Sequence, residues 1–382
     1  MPEECIYGGP CNGCGRCGKL QAVTALDAYQ SSNEGFEPRS GLGLAVDLGT
    51  TTIVMEALDL STGRSIAKTG FENPQRIYGA DVISRISAAN QDHAEELRKL
   101  VCDAITVHAG QISSGGITDC VISGNTTMIH LLLGYDPSGL GVYPFEIKAR
   151  LEEIYTWQEI FGESLDCPVF IMPWISAFVG GDVVSGLLSA PEAKNFLSSY
   201  LLVDLGTNGE IALCRGGAYT CTATAAGPAF EGMRAGLYGS EILDIAARLR
   251  REGTMDETGL LLGPSPLTQK EIREIQLAKS AVRVGIEILL DEAGRPTPDK
   301  IYLCGGFGQA LDPESAIEIG LFPQAMQGKI TPLGNASLAG AARLLRNPAA
   351  RKEITTILTA RHLNLSEHPD FFEYFMEYMG FE

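Results

Sequence analysis

Leu44-Ala-Val-Asp47-Leu-Gly49-Thr50-Thr51-Thr52-Ile-Val-Met-Glu56 decides the reading of this chain, because its plan returns about one domain length later. The second copy reads Leu202-Val-Asp204-Leu-Gly206-Thr207-Asn208-Gly209-Glu210-Ile-Ala-Leu213. Each copy is an apolar run, an Asp-x-Gly-Thr turn and a second apolar run, the pattern of a β-hairpin. The glycine lets the backbone come close to a ligand. Successive turn amides, joined by threonine hydroxyls, make a concavity for an anion. A strand-end carboxylate, Asp47 or Asp204, suits Mg²⁺, which keeps several waters and bridges phosphates. One such hairpin is equally an ordinary tight turn. Two copies predict two related domains and a phosphate site.

Three further stretches point the same way. Val121-Ile-Ser123-Gly124-Asn125-Thr126-Thr127-Met128 runs from a strand through glycine into a helix N-terminus, where amides favour an anion. Tyr302-Leu-Cys304-Gly305-Gly306-Phe307-Gly308 offers a backbone surface free of side chains, suited to a base and ribose. Gly334-Asn335-Ala336-Ser337-Leu-Ala-Gly340-Ala-Ala342 predicts a small-residue helix that packs closely on another. Asp92-His-Ala-Glu95 reads as a capping box opening a helix with Leu97, Leu100, Val101, Ala104 and Ile105 on one face. Ile272, Ile275, Ala278, Val282, Ile286 and Leu289 mark a second long helix. Strands at 118–123, 169–172 and 300–304 alternate with these helices, and that alternation predicts an α/β fold.

Composition narrows the function. The 382 residues are 45% hydrophobic and 20% charged, an ordinary globular balance. Acidic residues outnumber basic ones 47 to 29, for a net charge of −18. Such a chain lacks the basic footprint of nucleic-acid or anionic-membrane binding. The acidic start, Met1-Pro2-Glu3-Glu4, has no apolar stretch, and no run is long enough to span a bilayer. A soluble, cytoplasmic protein is expected. His93, His108, His130, His362 and His368 form no spaced set.

Four of the ten cysteines stand within the first 17 residues. Cys11, Cys14 and Cys17 follow one another at x₂ spacing with glycines between them, and Cys5 can fold back as a fourth ligand. Four thiolates satisfy either a [4Fe–4S] cluster or tetrahedral zinc. Zinc sites usually split into two separated knuckles. The x₂-x₂ run is nearer a ferredoxin pattern, without the usual following Cys-Pro. A disulfide-bonded or unmetallated tail is the third reading, disfavoured in a cytosolic protein. The other six cysteines sit in apolar contexts and read as buried small hydrophobes.

Taken in order, the five elements resemble the actin, Hsp70 and sugar-kinase (ASKHA) superfamily. That resemblance implies two ribonuclease-H-like domains around a nucleotide cleft holding ATP or ADP with Mg²⁺. It makes Gly49, Thr50, Thr51 and Thr52 the first phosphate loop, and Gly206, Thr207, Asn208 and Gly209 the second. Gly124 and Asn125 open the first connecting helix, and Gly305, Gly306, Phe307 and Gly308 become the adenosine motif. Asp47 and Asp204 are the expected magnesium or water-orienting groups, with Glu210 or Asp182 as water-positioning candidates. Four longer motifs narrow the resemblance: Asn73-Pro-Gln-Arg-Ile-Tyr-Gly79-Ala-Asp81-Val-Ile-Ser-Arg85, Pro173-Trp-Ile-Ser-Ala-Phe178-Val-Gly180-Gly181-Asp182, the stretch Asp204–Glu210, and Ala225-Ala-Gly-Pro-Ala-Phe-Glu231-Gly232. Together they are similar to the reductive activators of corrinoid-dependent methyltransferases.

Members of that family use ATP to reduce cob(II)alamin to cob(I)alamin through an iron–sulfur cluster. They typically carry a full ferredoxin-like domain, where this chain shows only a short cysteine loop. The resemblance implies a corrinoid protein or related metalloenzyme as partner, with a low-potential donor such as ferredoxin or flavodoxin. A homodimer is left open. Activators of 2-hydroxyacyl-CoA dehydratases or double-cubane enzymes remain an alternative, as do a small-molecule kinase and a zinc-bearing scaffold. The expected divisions are a cysteine segment and linker over 1–40, domains over 41–200 and 201–346, and a tail over 347–382 packed on the body. In that tail Ser366 is the expected cap, and Phe372, Phe375, Met376 and Met379 share one face, expected to pack on the second domain, with docking of a partner protein as the alternative.

Overall fold

The computed structural model describes residues 35–113, 116–149, 154–191, 198–206, 208–227, 239–308 and 311–381. Cys5, Cys11, Cys14, Cys17, Thr207 and residues 228–232, with Glu231, lie outside the described residues. The strands are β1 (Leu42–Leu48), β2 (Thr52–Asp59), β3 (Arg64–Glu72), β4 (Ile117–Gly124), β5 (Ile154–Thr156), β6 (Pro168–Ile171), β7 (Ser199–Leu205), β8 (Gly209–Arg215), β9 (Ala218–Thr224), β10 (Lys300–Cys304), β11 (Ile330–Gly334) and β12 (Arg361–His362). The helices are α1 (Val82–Ala88), α2 (Ala94–Ile112), α3 (Thr126–Leu133), α4 (Trp157–Phe161), α5 (Gly181–Ser189), α6 (Gly239–Arg251), α7 (Gln269–Glu292), α8 (Gly305–Gly308), α9 (Pro313–Glu318), α10 (Ala336–Arg346), α11 (Arg351–Ile357) and α12 (Phe371–Glu377).

These elements build a mixed α/β protein of two compact units. The described parts of 35–191 form one with Asn335–Thr359, and those of 198–334 form the other with 360–381. The first sheet has the order β3-β2-β1-β4-β6-β5 and the second β11-β10-β7-β8-β9-β12. In the first, β1 pairs antiparallel with β2 and parallel with β4, and β6 continues parallel beyond β4. In the second, β7 pairs antiparallel with β8 and parallel with β10, and β11 continues parallel beyond β10. Setting aside the edge strands β5 and β12, both sheets run third, second, first, fourth, fifth in their own chain order. The repeated hairpin is thus the legible part of a whole repeated unit.

Both faces of β1 are covered, so its sequence reads as a near-continuous apolar run rather than an alternation. Leu44, Val46 and Leu48 pack with Ile53 and Met55 against Leu97, Val101 and Ile105 of α2. In the second unit, Leu201, Val203, Ile211 and Leu213 meet Ile272, Ile275, Ala278, Val282, Ile286 and Leu289 of α7, the periodic set expected from sequence. A capping box of Thr268 and Glu271 starts that helix.

Three local expectations differ from what forms. Asp92 caps nothing. It stands at φ 68° in a kink over 89–93, and α2 begins at Ala94. The C-terminal helix starts after Asp370 rather than at Ser366. It turns Phe371, Tyr374, Phe375 and Tyr378 to the core and leaves Phe372 and Met376 73% and 56% exposed. The polar side of α7 decides this register. Gln276 Nε2 donates to the Met379 carbonyl at 2.7 Å, Lys279 Nζ to that of Tyr378 at 2.7 Å, and Ser280 Oγ to that of Phe375 at 2.5 Å.

The division of the chain also differs. Residues 336–346, expected in the second domain, belong to the first unit, because α10 packs backbone to backbone on α5. A Cβ added at Gly340 falls inside contact distance of the Ser185 carbonyl oxygen, while Ser185 Oγ donates to the Ser337 carbonyl at 2.6 Å. Gly340→Ala is expected to cost about 3 kcal/mol through overpacking. In a domain this size that lowers the melting temperature by roughly 6–12 °C, which thermal unfolding followed by circular dichroism measures.

Candidate functional site

The first hairpin turns through Gly49, Thr50 and Thr51 before β2 begins at Thr52. Leu48 lies beside Gly124 in the β1–β4 register, so the turn and the start of α3 share one end of the sheet. A Cβ on Gly124 would stand 2.7 Å from the Leu48 carbonyl oxygen, so only glycine allows this approach. Asn125 caps α3 by accepting from the Met128 amide at 2.9 Å, and its Nδ2 donates to Thr50 Oγ1 at 2.9 Å.

The turn's carbonyls are held from outside it. Asn73 Nδ2 donates to the Gly49 carbonyl at 2.8 Å, Arg85 Nη2 to that of Thr50 at 2.5 Å, and the Asn73 amide to that of Thr51 at 2.9 Å. In a planar trans peptide the next N–H points opposite to the carbonyl. Tying back the carbonyls of Gly49 and Thr50 therefore aims the amides of Thr50 and Thr51 away from these braces. Two successive amides presented in this way make an anion nest.

Asp47 sits at the strand end before the turn. Its Oδ2 accepts from Asn335 Nδ2 at 2.8 Å and its Oδ1 from Ser337 Oγ at 2.7 Å. Ser337 Oγ also lies 2.9 Å from Ser123 Oγ, whose hydroxyl donates to the Gly181 carbonyl at 3.0 Å. Asn335 caps α10 through the Leu338 amide. One polar cluster thus joins β1, β4, α5 and α10. Burial raises the Asp47 pKa against the lowering effect of Ser337 and Asn335.

Asp182 stands in the first turn of α5, where its Oδ1 accepts from the Val183 amide at 2.8 Å. Burial raises its pKa from 3.8 to about 7; the Val183 amide opposes this, and the Asp47 charge adds to it. A carboxyl raised in the folded state stabilises the protein below its unfolded pKa and loses that contribution as pH climbs through the folded value. The protein without a bound cation is therefore expected to lose stability between pH 4 and 7. Asp182→Asn keeps the acceptor for Val183 and removes the titration. At pH 8 it should gain about 2 kcal/mol, roughly 4–8 °C in melting temperature, and at pH 4 almost nothing. An equal gain at both pH values would show that the Asp182 charge is not the cause.

The second hairpin closes more tightly. The Gly206 amide donates to the Asn208 carbonyl at 2.9 Å, and the register sets Asp204 opposite Glu210 and Leu205 opposite Gly209. Gly305 follows β10 at φ 84°, where a Cβ would stand 2.5 Å from both Asp204 Oδ1 and the Leu205 carbonyl oxygen. A Cβ on Gly308 would stand 2.9 Å from Leu303 Cγ. At Gly305 and Gly308 the missing side chain lets α8 seat against β7 and β10. The Asp204 charge helps push the already buried Cys304 thiol pKa further up.

Sequence profiles of one protein match the chain in two blocks. The RACo middle region matches residues 42–192, and the C-terminal domain of RACo, the ASKHA domain, matches 198–237 and 264–382. The chain belongs to the RACo family. It is 29% identical to the corrinoid activation enzyme RamQ of Eubacterium limosum, over 90% of this chain and 71% of that protein. It is 23% identical to the Co(II) methylated amine-specific corrinoid protein reductase of Methanosarcina barkeri, over 87% of this chain and 76% of that one. A solved structure, a reductive activator for corrinoid, iron–sulfur protein, superposes with a TM-score of 0.79 at 28% identity, covering 90% of this chain and 67% of its own.

Within this RACo-family chain, the first unit gathers Asp47, Gly49, Thr50, Thr51, Thr52, Gly124, Asn125 and Asp182 at one end of its sheet. The second unit gathers Asp204, Gly206, Asn208, Gly209, Glu210, Gly305 and Gly308. Ser123, Ser337, Gln75 and Arg85 were missing from the sequence-derived site. Their only signal was membership of motifs whose job the spacing leaves unstated. Among the described residues no three His, Cys, Asp or Glu side chains cluster as a metal site. No helix there is long and apolar enough to cross a membrane.

Proposed function

We propose that this protein is an ATP-dependent reductive activator, which spends ATP hydrolysis to pass one low-potential electron to a corrinoid protein. Cob(II)alamin gains the electron and becomes cob(I)alamin, while an external donor of the ferredoxin or flavodoxin class loses it. ATP and water give ADP and phosphate. The observation that carries the reading is the likeness, over 90% of this chain, to a solved activator for a corrinoid protein. The two curated relatives are also named for corrinoid proteins.

The residues fit the groups this chemistry needs. Asp47 and Asp182 are two carboxyls whose burial and mutual repulsion a hydrated divalent cation relieves. Magnesium bound there supplies neutralisation of phosphate charge. The Thr50 and Thr51 amides receive phosphate oxygens, Asp204 and Glu210 orient water, and the Gly305–Phe307 backbone lies against adenosine. Cys5, Cys11, Cys14 and Cys17 provide the four-thiolate set of a [4Fe–4S] cluster, which supplies a one-electron carrier. A donor about 120 mV too weak leaves roughly one acceptor in a hundred reduced. A nucleotide-driven change of state with a few kcal/mol of differential affinity closes that gap.

The test is an anaerobic mixture of the protein, a cob(II) corrinoid protein and reduced ferredoxin, followed by cobalamin absorbance. Cob(I) should accumulate only with ATP and Mg²⁺, and not with a non-hydrolysable analogue. Equal accumulation without nucleotide, or ATP consumed only to phosphorylate an added small molecule, would overturn the proposal.

A further inference from the structure

Behind the first turn lies a cation that the activity described so far does not use. Arg85 on α1 is completely buried, as is Gln75 beside it. The Arg85 guanidinium meets the Thr50 carbonyl at 2.5 Å, the Gly79 carbonyl at 3.2 Å, Gln75 Oε1 at 3.3 Å and Met128 Sδ at 3.1 Å. Every one of these acceptors is neutral. Asp81, the acid whose charge reaches Arg85, commits Oδ1 to the Ser84 amide and Oδ2 to the Ser84 hydroxyl. Among the described residues no carboxylate comes within ion-pair distance of Arg85. Fully buried arginines are normally paired, because an uncompensated charge in the interior costs several kcal/mol.

The geometry points to Arg85 as a positioning residue for polyphosphate, whose charge, acting through the Thr50 peptide, is completed by the anion bound in the turn. Gln75 is the neutral neighbour that leaves this charge uncancelled. Arg85 holds the Thr50 carbonyl back, so the Thr51 amide on the far side of the same peptide faces the anion. Burial lowers the Arg85 pKa only to about 10, so the side chain is still a cation at neutral pH. The inference rests on reading Gly49–Thr52 as a phosphate loop, and deepens it by naming what its affinity depends on.

The prediction follows the number of phosphates. Arg85→Met should weaken ATP binding by at least about tenfold, ADP binding less, and adenosine binding not at all, since the interaction scales with ligand charge. Gln75→Glu sets a carboxylate of nearly the same shape against the guanidinium and should give the same graded loss with Arg85 still present. Arg85→Lys, which keeps a charge, should recover part of the ATP affinity. Calorimetric titration of the full-length protein with the three ligands reads all of this, and thermal unfolding without ligand confirms the fold. If only one of the two neutralising variants folds, that one suffices. Equal losses for ATP, ADP and adenosine, or unchanged affinities in a folded variant, would overturn the inference. A wild-type protein that binds all three ligands equally would instead overturn the phosphate-loop reading itself.

Discussion

Asp204→Ala is expected to abolish ATP turnover, lowering it by at least about a hundredfold, the usual scale for losing one group that organises charge at a reacting phosphate. The register sets Asp204 against Glu210 at the turn where the resemblance places metal or water, and the glycine at 305 makes room for its carboxylate. Asp204→Asn is the finer test, because it keeps the shape and part of the hydrogen bonding while removing the charge. It should lose nearly as much turnover as the alanine variant. Asp47→Ala should match it from the other hairpin, at the further cost of leaving Asn335 and Ser337 without their acceptor. Phosphate release measures turnover, and iron analysis of the same samples should show no change. Undiminished turnover in Asp204→Asn would show that the hairpin does not carry the chemistry.

Cys14→Ser is the mirror experiment and has the second large effect. Cys14 is the middle of the x₂-x₂ run, so its loss leaves only three thiols of the set. A [4Fe–4S] cluster generally requires four. The variant should lose most of its iron and its brown colour, and with them all corrinoid reduction. ATP turnover should stay within about twofold, because no nucleotide group proposed here involves that loop. The two variants together separate engine from conductor: one hydrolyses nothing and keeps its iron, the other hydrolyses and delivers no electron. A colourless wild-type protein carrying one zinc would end the redox reading and favour the scaffold. Turnover lost along with the iron would instead mean that cluster and nucleotide chemistry are inseparable.

The site is legible in the sequence to the extent that its chemistry is local. Asp-x-Gly-Thr between two apolar runs states a turn, an anion nest and a carboxylate within a few residues, because pleat and turn geometry are short-range. The role of Arg85 is different in kind. It lies 35 residues from the Thr50 carbonyl it holds, and only folding shows that the carbonyl is its partner and that, among the described residues, no carboxylate is. Ser337 is farther still, 290 residues from Asp47. Side-chain type at position 337 does not encode that meeting; the return of α10 to the first unit creates it. The Asp92 and Ser366 caps went astray for a related reason. Both residues have good capping chemistry, but a left-handed kink in one case and the carbonyl-gripping face of α7 in the other moved the helix start.

By itself the sequence determined the α/β class, the two hairpins and the long periodic helix of the second unit, since each follows from apolar period and turn chemistry within a short window. The resemblance of its motifs to corrinoid-protein activators was likewise readable there. Only the tertiary structure decided that residues 335–359 complete the first unit. It also decided that the Asp47 charge reaches Asp182 there, and that a fully buried cation, Arg85, backs the first turn. Those facts depend on burial and on contacts between distant segments. A side chain's charge is printed in the sequence, but the free-energy cost of that charge is set by what surrounds it once the chain has folded.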